Sequence, residues 1–310
     1  MLTQELNSEQ VKFYQDNGYV LFSNVLSDEE LTTLQSVTDD FLERSRHVTV
    51  SDNIFDLEDG HTAEKPRLRR IKRPIKQHPT YAAILEHPRI IRLLQQVLGH
   101  AVRQYGLKLN MKPGGGGEPV EWHQDWAYYP HTNDDVCVMG IMLDDVTMEK
   151  GPLLVVPGSH KGPVLDHHQD GLFVGAVTDP RADALYAKAV PLLGKAGDIS
   201  IHHTRTLHGS ASNLSDSYRR LFFITARAAD AWPLVEAPDI ATFDTMMMVG
   251  QPTLAPRIAE VPVRLPLPRA ADWAARKDSI FEKQRDLRNS PFARVKPAAA
   301  TAKTAMTADA

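Results

Sequence analysis

"VRQYGLKLNMK", residues 102–112, is the first of five short β-like runs that decide the fold of this chain. The others are "DVCVMGIMLDDV" (135–146), "PLLVVPGS" (152–159), "DISIHH" (198–203) and "YRRLFFITARAA" (218–229). Turn residues separate them, and no helix-length segment alternates with them. Such spacing predicts a β-sandwich or barrel rather than a parallel sheet with crossover helices. A flexible turn, "GGGG" (114–117), follows the first run and leads into "EWHQDWAYYPH" (121–131), which sets a histidine and a carboxylate two positions apart.

Upstream the pattern is helical. "SEQVKFYQDN" (8–17) reads as a short helix stopped by Gly18, and "YVLF" after it as a strand. Ser27 and Glu30 have the spacing of a capping box, with Leu31, Leu34, Val37 and Phe41 recurring at helical spacing behind them. Pro88 opens a further helix, "RIIRLLQQVLG", closed by Gly99. Residues 47–78 read as polar and irregular, and "RLRRIKRPIK" (67–76) as a mainly solvated basic face. The expected layout is one domain over 1–295, with a helical part at about 1–100 and a β core at about 101–265. The small, polar segment 296–310 is expected to be disordered.

Composition bounds the function. A chain of 310 residues can bury a sizeable core, and its 42% hydrophobic and 24% charged residues are ordinary for a globular protein. The net charge of −4 argues against a general nucleic-acid or membrane-surface binder, so the expected partner is a small molecule. Cys137 is the single cysteine, which excludes an internal disulfide and a thiolate zinc cluster. The N-terminus lacks a secretion-signal pattern, and no stretch reaches the ~18 apolar residues of a membrane span. A cytoplasmic protein, monomeric or homodimeric, is the expectation.

In a strand, residues i and i+2 share a face, so His123 and Asp125 can both aim into a barrel. A third donor is His208, in "TLHGSASN" beyond "DISIHH". Two histidines and one carboxylate form the facial triad of non-haem Fe(II) oxygenases, which leaves coordination positions open. A histidine and an aspartate two apart are common, so the pair alone reads equally as a hydrogen-bonded couple at a strand end. Arg219 lies eleven residues after His208 at the head of an apolar run. A guanidinium there must be paired, either by an internal aspartate or by a dicarboxylate co-substrate that a bidentate contact would hold. Ser210 can add a hydroxyl to that carboxylate.

Taken together, "WHQDWAYYP", "GPLLVVPGSHKGP" and "LHGSASNLSDSYRR" resemble the phytanoyl-CoA dioxygenase-like Fe(II)/2-oxoglutarate oxygenases, over about residues 101–228. The resemblance implies a mainly β fold with flanking helices, a double-stranded β-helix of the jelly-roll, cupin-like kind. It implies Fe(II) held by His123, Asp125 and His208, with 2-oxoglutarate and O2 as co-substrates. It also implies Arg219 and Ser210 at the distal carboxylate of 2-oxoglutarate, with Arg220 on the opposite strand face. "LKLNMKPG" looks like the family's strand that touches 2-oxoglutarate, so Asn110 and Lys108, which share a face, are candidates. The implied reaction is hydroxylation of a small molecule's C–H bond, with 2-oxoglutarate converted to succinate and CO2.

Other residues are read more plainly. Tyr128 and Tyr129 either wall the pocket or pack in the core, and Trp126 is expected in the core. His160 is expected to be structural; His202 shares strand parity with His208 but is expected to lie too far along the strand for the same metal, which leaves it a role behind the ligands or in packing. Residues 164–190 exceed a hairpin's needs and form a candidate lid. The basic run, as the one cationic concentration in an acidic chain, points to an anionic substrate. Competing readings are a non-catalytic binding barrel and a Zn(II) or Mn(II) cupin-like enzyme that does not use 2-oxoglutarate.

Overall fold

The computed structural model of the chain describes residues 8–235, 239–274 and 279–294. The expected tail at 296–310 lies outside the described residues. Fourteen strands are described: β1 Tyr19–Phe22, β2 Phe55–Leu57, β3 Leu68–Lys72, β4 Val102–Lys112, β5 Val120–His123, β6 Val136–Met142, β7 Leu153–Val155, β8 His168–Gln169, β9 Leu172–Phe173, β10 Val190–Leu192, β11 Ile199–His203, β12 His208–Ser210, β13 Arg219–Ala228 and β14 Met247–Val249. An eight-stranded sheet runs β1-β11-β6-β13-β4-β3-β2, with β14 on β4, and a four-stranded sheet runs β10-β7-β12-β5. Their pairings are antiparallel. Two such sheets make the jelly roll that the sequence leads one to expect.

Strand alternation gives the large sheet two different faces. Leu109 and Met111 of β4, Ile141 of β6, Ile199 and Ile201 of β11 and Phe222 and Ile224 of β13 belong to one core cluster. Leu34 and Phe41 of the Asp28–Ser45 helix and Ile90 and Leu94 of the Pro88–Leu98 helix belong to it too. Burying each of these side chains contributes roughly 1.5–3 kcal/mol, which fixes the helices on that face. The Ser27–Glu30 capping box is formed and sets the first helix's start. The opposite face carries Val138, Met142, Leu221 and Phe223, which pack with Val155 and Leu192 of the small sheet. It also carries the polar residues of the site.

Two parts depart from the expectation. The segment 47–78 is not irregular, because it contributes β2 and β3 to the large sheet. Nor is the basic run a solvated face. Arg69, on β3, pairs with Asp56, Glu118 and Glu282, and Arg67 with Glu58. Glu118 and Glu282, far away in sequence, help Arg69 to be buried, which no local pattern announces. Among the described residues no helix is long and apolar enough to cross a membrane.

Candidate metal centre and active site

His123 ends β5, and the chain then leaves the sheet, so Asp125 opens a short 3-10 turn instead of continuing the strand. Gln124 stays extended, at φ −118° and ψ 122°, which preserves the alternation that turns both side chains the same way. β12 pairs with β5 so that His208 lies directly opposite His123, their ring centroids 4.1 Å apart. One donor atom from each of His123, Asp125 and His208 falls within 4.8 Å of the others, and all three residues are buried.

The two imidazoles are oriented in the same way. Nδ1 of His123 lies 2.7 Å from the Glu121 carbonyl and Nδ1 of His208 lies 2.8 Å from the Thr206 carbonyl. A carbonyl only accepts, so each Nδ1 carries the proton and each Nε2 offers its lone pair to the site. Burial pushes the His123 imidazole down to about 4 and moves that of His208 in the same direction, which keeps both neutral near pH 7. Burial opposes ionisation of Asp125, yet the Lys108 ammonium and the adjacent His202 side chain outweigh it and hold the carboxyl well below its usual range. Two neutral imidazoles and one carboxylate, gathered to one side, suit Fe(II) and leave other positions open.

A second pole lies farther along the inner face. Arg219 on β13 and Lys112 on β4 are partners in register, and both are buried. Lys112 Nζ donates to Ser210 Oγ at 2.8 Å and to the Ser210 and Ala211 carbonyls. Arg219 donates to the Gly151 carbonyl at 2.9 Å, and its Nε has no partner among the described residues. Burial lowers the Arg219 guanidinium to about 10 and pulls the Lys112 ammonium down as well. Arg220 faces the other way and pairs with Asp144 and Asp39. Between the two poles sits Asn110, whose buried Oδ1 accepts no hydrogen bond from the described residues. The sequence reading missed Lys112. Its parity with Lys108 and Asn110 was the available signal, but the contact with Ser210 is tertiary.

Lys108 is not at that pole. It lines an open pocket of about 440 Å³ together with Asp125, Tyr128, Tyr129 and Phe173. Seven of the described lining residues are basic, namely Arg70, Lys72, Arg73, Lys108, Arg227, Arg269 and Lys283, and Asp125 is the acidic one. Arg70 and Lys72 come from the basic run, on the strand face opposite Arg69, and align with Asn110 and Lys108. Tyr128 is anchored by donating to the Gly175 carbonyl at 2.5 Å. Gly175, at φ +68°, allows this approach, since a Cβ there would sit 2.2 Å from the phenol oxygen. Phe173 reaches the pocket from the 164–190 segment, whereas Trp126 is fully buried in the core.

His202 stays outside the cluster of three donors, as the sequence reading expects, but it lies nearer than a residue far along one strand would: its Nε2 is 3.6 Å from Asp125 Oδ2, and its ring centroid is 4.6 Å from that of His208. The expectation treated β11 and β12 as one strand, but they belong to different sheets that close on each other at this point. His160, by contrast, is a structural contact, 3.1 Å from the Gln15 carbonyl.

A jelly roll with this donor set and a buried cationic pole defines the class of 2-oxoglutarate-dependent non-haem iron oxygenases. The sequence matches the phytanoyl-CoA dioxygenase (PhyH) family over residues 14–221, and the chain belongs to that family. It is similar to a probable alpha-ketoglutarate-dependent hypophosphite dioxygenase of Stutzerimonas stutzeri, at 36% identity over 90% of this chain and 98% of the relative. An L-proline trans-4-hydroxylase of Streptomyces griseoviridis is 29% identical over 76% of this chain and 92% of its own length. The crystal structure of EctD from S. alaskensis with bound Fe superposes with a TM-score of 0.64 at 24% identity, over 84% of this chain and 90% of that one, and shares the fold. The protein is a non-haem iron, 2-oxoglutarate-dependent dioxygenase, with Fe(II) as its metal and 2-oxoglutarate and O2 as co-substrates.

Proposed function

We propose that His123, Asp125 and His208 ligate the iron, that Arg219, Ser210 and Lys112 receive the distal carboxylate of 2-oxoglutarate, and that the open pocket takes a small organic anion. The observation that carries the substrate class is that, among the described lining residues, seven basic side chains accompany one acid, Asp125, which the metal itself would neutralise. Such a pocket concentrates anions and holds carboxylate or phosphorus oxyanions through charged hydrogen bonds. The relative named for hypophosphite is itself named for a small oxyanion, which supports this reading. Iron and O2 supply the oxidation, with 2-oxoglutarate leaving as succinate and CO2 and the substrate C–H becoming C–OH. The chain's own tasks are ligation, orientation and exclusion of water.

Lys108 is assigned to the substrate, because it lines the pocket beside Asp125. Asn110, at the boundary, is assigned to the co-substrate. The test is succinate release with a panel of carboxylates, phosphonates, neutral analogues and amines, repeated with Lys108→Met. Anions should stimulate turnover, and the substitution should raise KM for the anion about ten- to a hundred-fold, the loss of one charged hydrogen bond, with KM for 2-oxoglutarate unmoved. Stimulation by neutral or cationic compounds alone would sink the anionic-substrate reading.

A further inference from the structure

His202 is almost fully buried, yet among the described residues neither of its ring nitrogens has a hydrogen-bond partner. Alternation along β11 turns Ile199 and Ile201 toward the helices and Ser200 and His202 toward the small sheet. The imidazole therefore meets the metal centre from the sheet opposite His123 and His208, with Nε2 3.6 Å from Asp125 Oδ2. An unpartnered imidazole in a dry interior is unfavourable, and an apolar residue would fill the space at lower cost. The polar group has a use only if something at the site engages it.

We infer that His202 is a positioning residue for Asp125. Its Nε2–H donates to Oδ2, which leaves Oδ1, 3.9 Å from His123 Nε2, to ligate the metal. A carboxylate held in this way binds through one oxygen and does not occupy a second coordination position, which 2-oxoglutarate and O2 need. The inference rests on the reading of His123, Asp125 and His208 as ligands. His202 is not among the three residues whose donor atoms cluster within 4.8 Å, so it acts on the carboxylate and not as a fourth ligand.

The test uses the metal-free full chain, Co(II) as the probe and three variants, with affinity and ligand-field bands read by visible absorption. His202→Leu should bind Co(II) about ten- to a hundred-fold more weakly, the usual loss when a ligand's outer hydrogen bond is removed. Its bands should shift while the metal-free protein melts no lower than wild type. His202→Gln, which restores an N–H donor, should recover most of the affinity. The inference is overturned if His202→Leu binds within about twofold of wild type, clearly short of that loss. A glutamine variant no better than leucine, or metal-free leucine protein melting well below wild type, would equally overturn it, the latter by showing a packing role. Asp125→Ala separates the two readings. If it binds Co(II) like wild type, the ligand assignment itself fails; if it loses Co(II) while His202→Leu does not, only the role of His202 fails.

Discussion

Arg219 and Lys112 face each other across the β4–β13 ladder as a registered pair, and among the described residues neither meets a carboxylate. Two buried cations side by side repel each other and are poorly solvated, so an anion that enters between them is strongly favoured. In an enzyme that uses 2-oxoglutarate, the distal carboxylate supplies that anion.

Removal of one of these cations should therefore act on the co-substrate. Arg219→Ala is expected to raise KM for 2-oxoglutarate about ten- to a hundred-fold, the loss of a charged hydrogen bond, with iron content unchanged. Lys112→Met should raise the same KM. Arg220→Ala, whose target pairs with Asp144 and Asp39 outside the site, should leave it near wild type. Steady-state kinetics with varied 2-oxoglutarate checks all three, and a larger effect in Arg220→Ala would reverse the assignment.

Asp125→Ala removes the one anionic donor of the triad. Elemental analysis of protein reconstituted with Fe(II) should fall from about one iron per chain toward none, because two imidazoles remain and each is a neutral ligand. Unchanged iron content in this variant would disprove the ligand assignment.

Arg69 tests the buried ion network. Its guanidinium serves Asp56, Glu118 and Glu282, and Asp56 is almost fully buried. Arg69→Met should destabilise the fold by about 3 kcal/mol, the low end for breaking a buried pair because two of the three carboxylates are partly exposed. Denaturant unfolding would measure it; a loss below ~1 kcal/mol would mean that the network is effectively solvated.

His131 sets part of the acid sensitivity. Burial and the Arg227 guanidinium, whose Nη1 is 2.9 Å from Nε2, push its imidazole down to about 3. The unfolded chain takes up this proton below about pH 6.5 while the native state does not, so stability is lost as pH falls from about 6.5 toward 3. The slope from this residue is ~1.4 kcal/mol per pH unit. In metal-free protein unfolded by denaturant at several pH values, His131→Gln should show a shallower fall than wild type. Parallel curves would show that His131 titrates normally.

The legible parts were those governed by local rules. The helix at 8–17, the capping box at Ser27 and Glu30, the Gly99 stop and the strands carrying "VRQYGLKLNMK" and "RRLFFITARA" all follow from periodicity, caps and turn residues acting within a few positions. Those rules failed at 55–72, because a strand built from "LRRIK" is stable only when Asp56 of the neighbouring strand and Glu118 and Glu282 from far along the chain meet Arg69.

The sequence by itself determined the donor types, the order in the chain of the segments that carry them, and that His123 and Asp125, like Lys108 and Asn110, point to one side of their own segment, since alternation is a property of the extended backbone. Only the tertiary structure decided distances between residues on different strands. Sheet closure set His208 opposite His123, brought Lys112 rather than Lys108 to Ser210, sent Lys108 and the inner half of the basic run into one pocket, and placed His202 against Asp125. These contacts depend on how two sheets pack, and packing is fixed by the sum of buried apolar surface over the whole core rather than by the residues that end up touching.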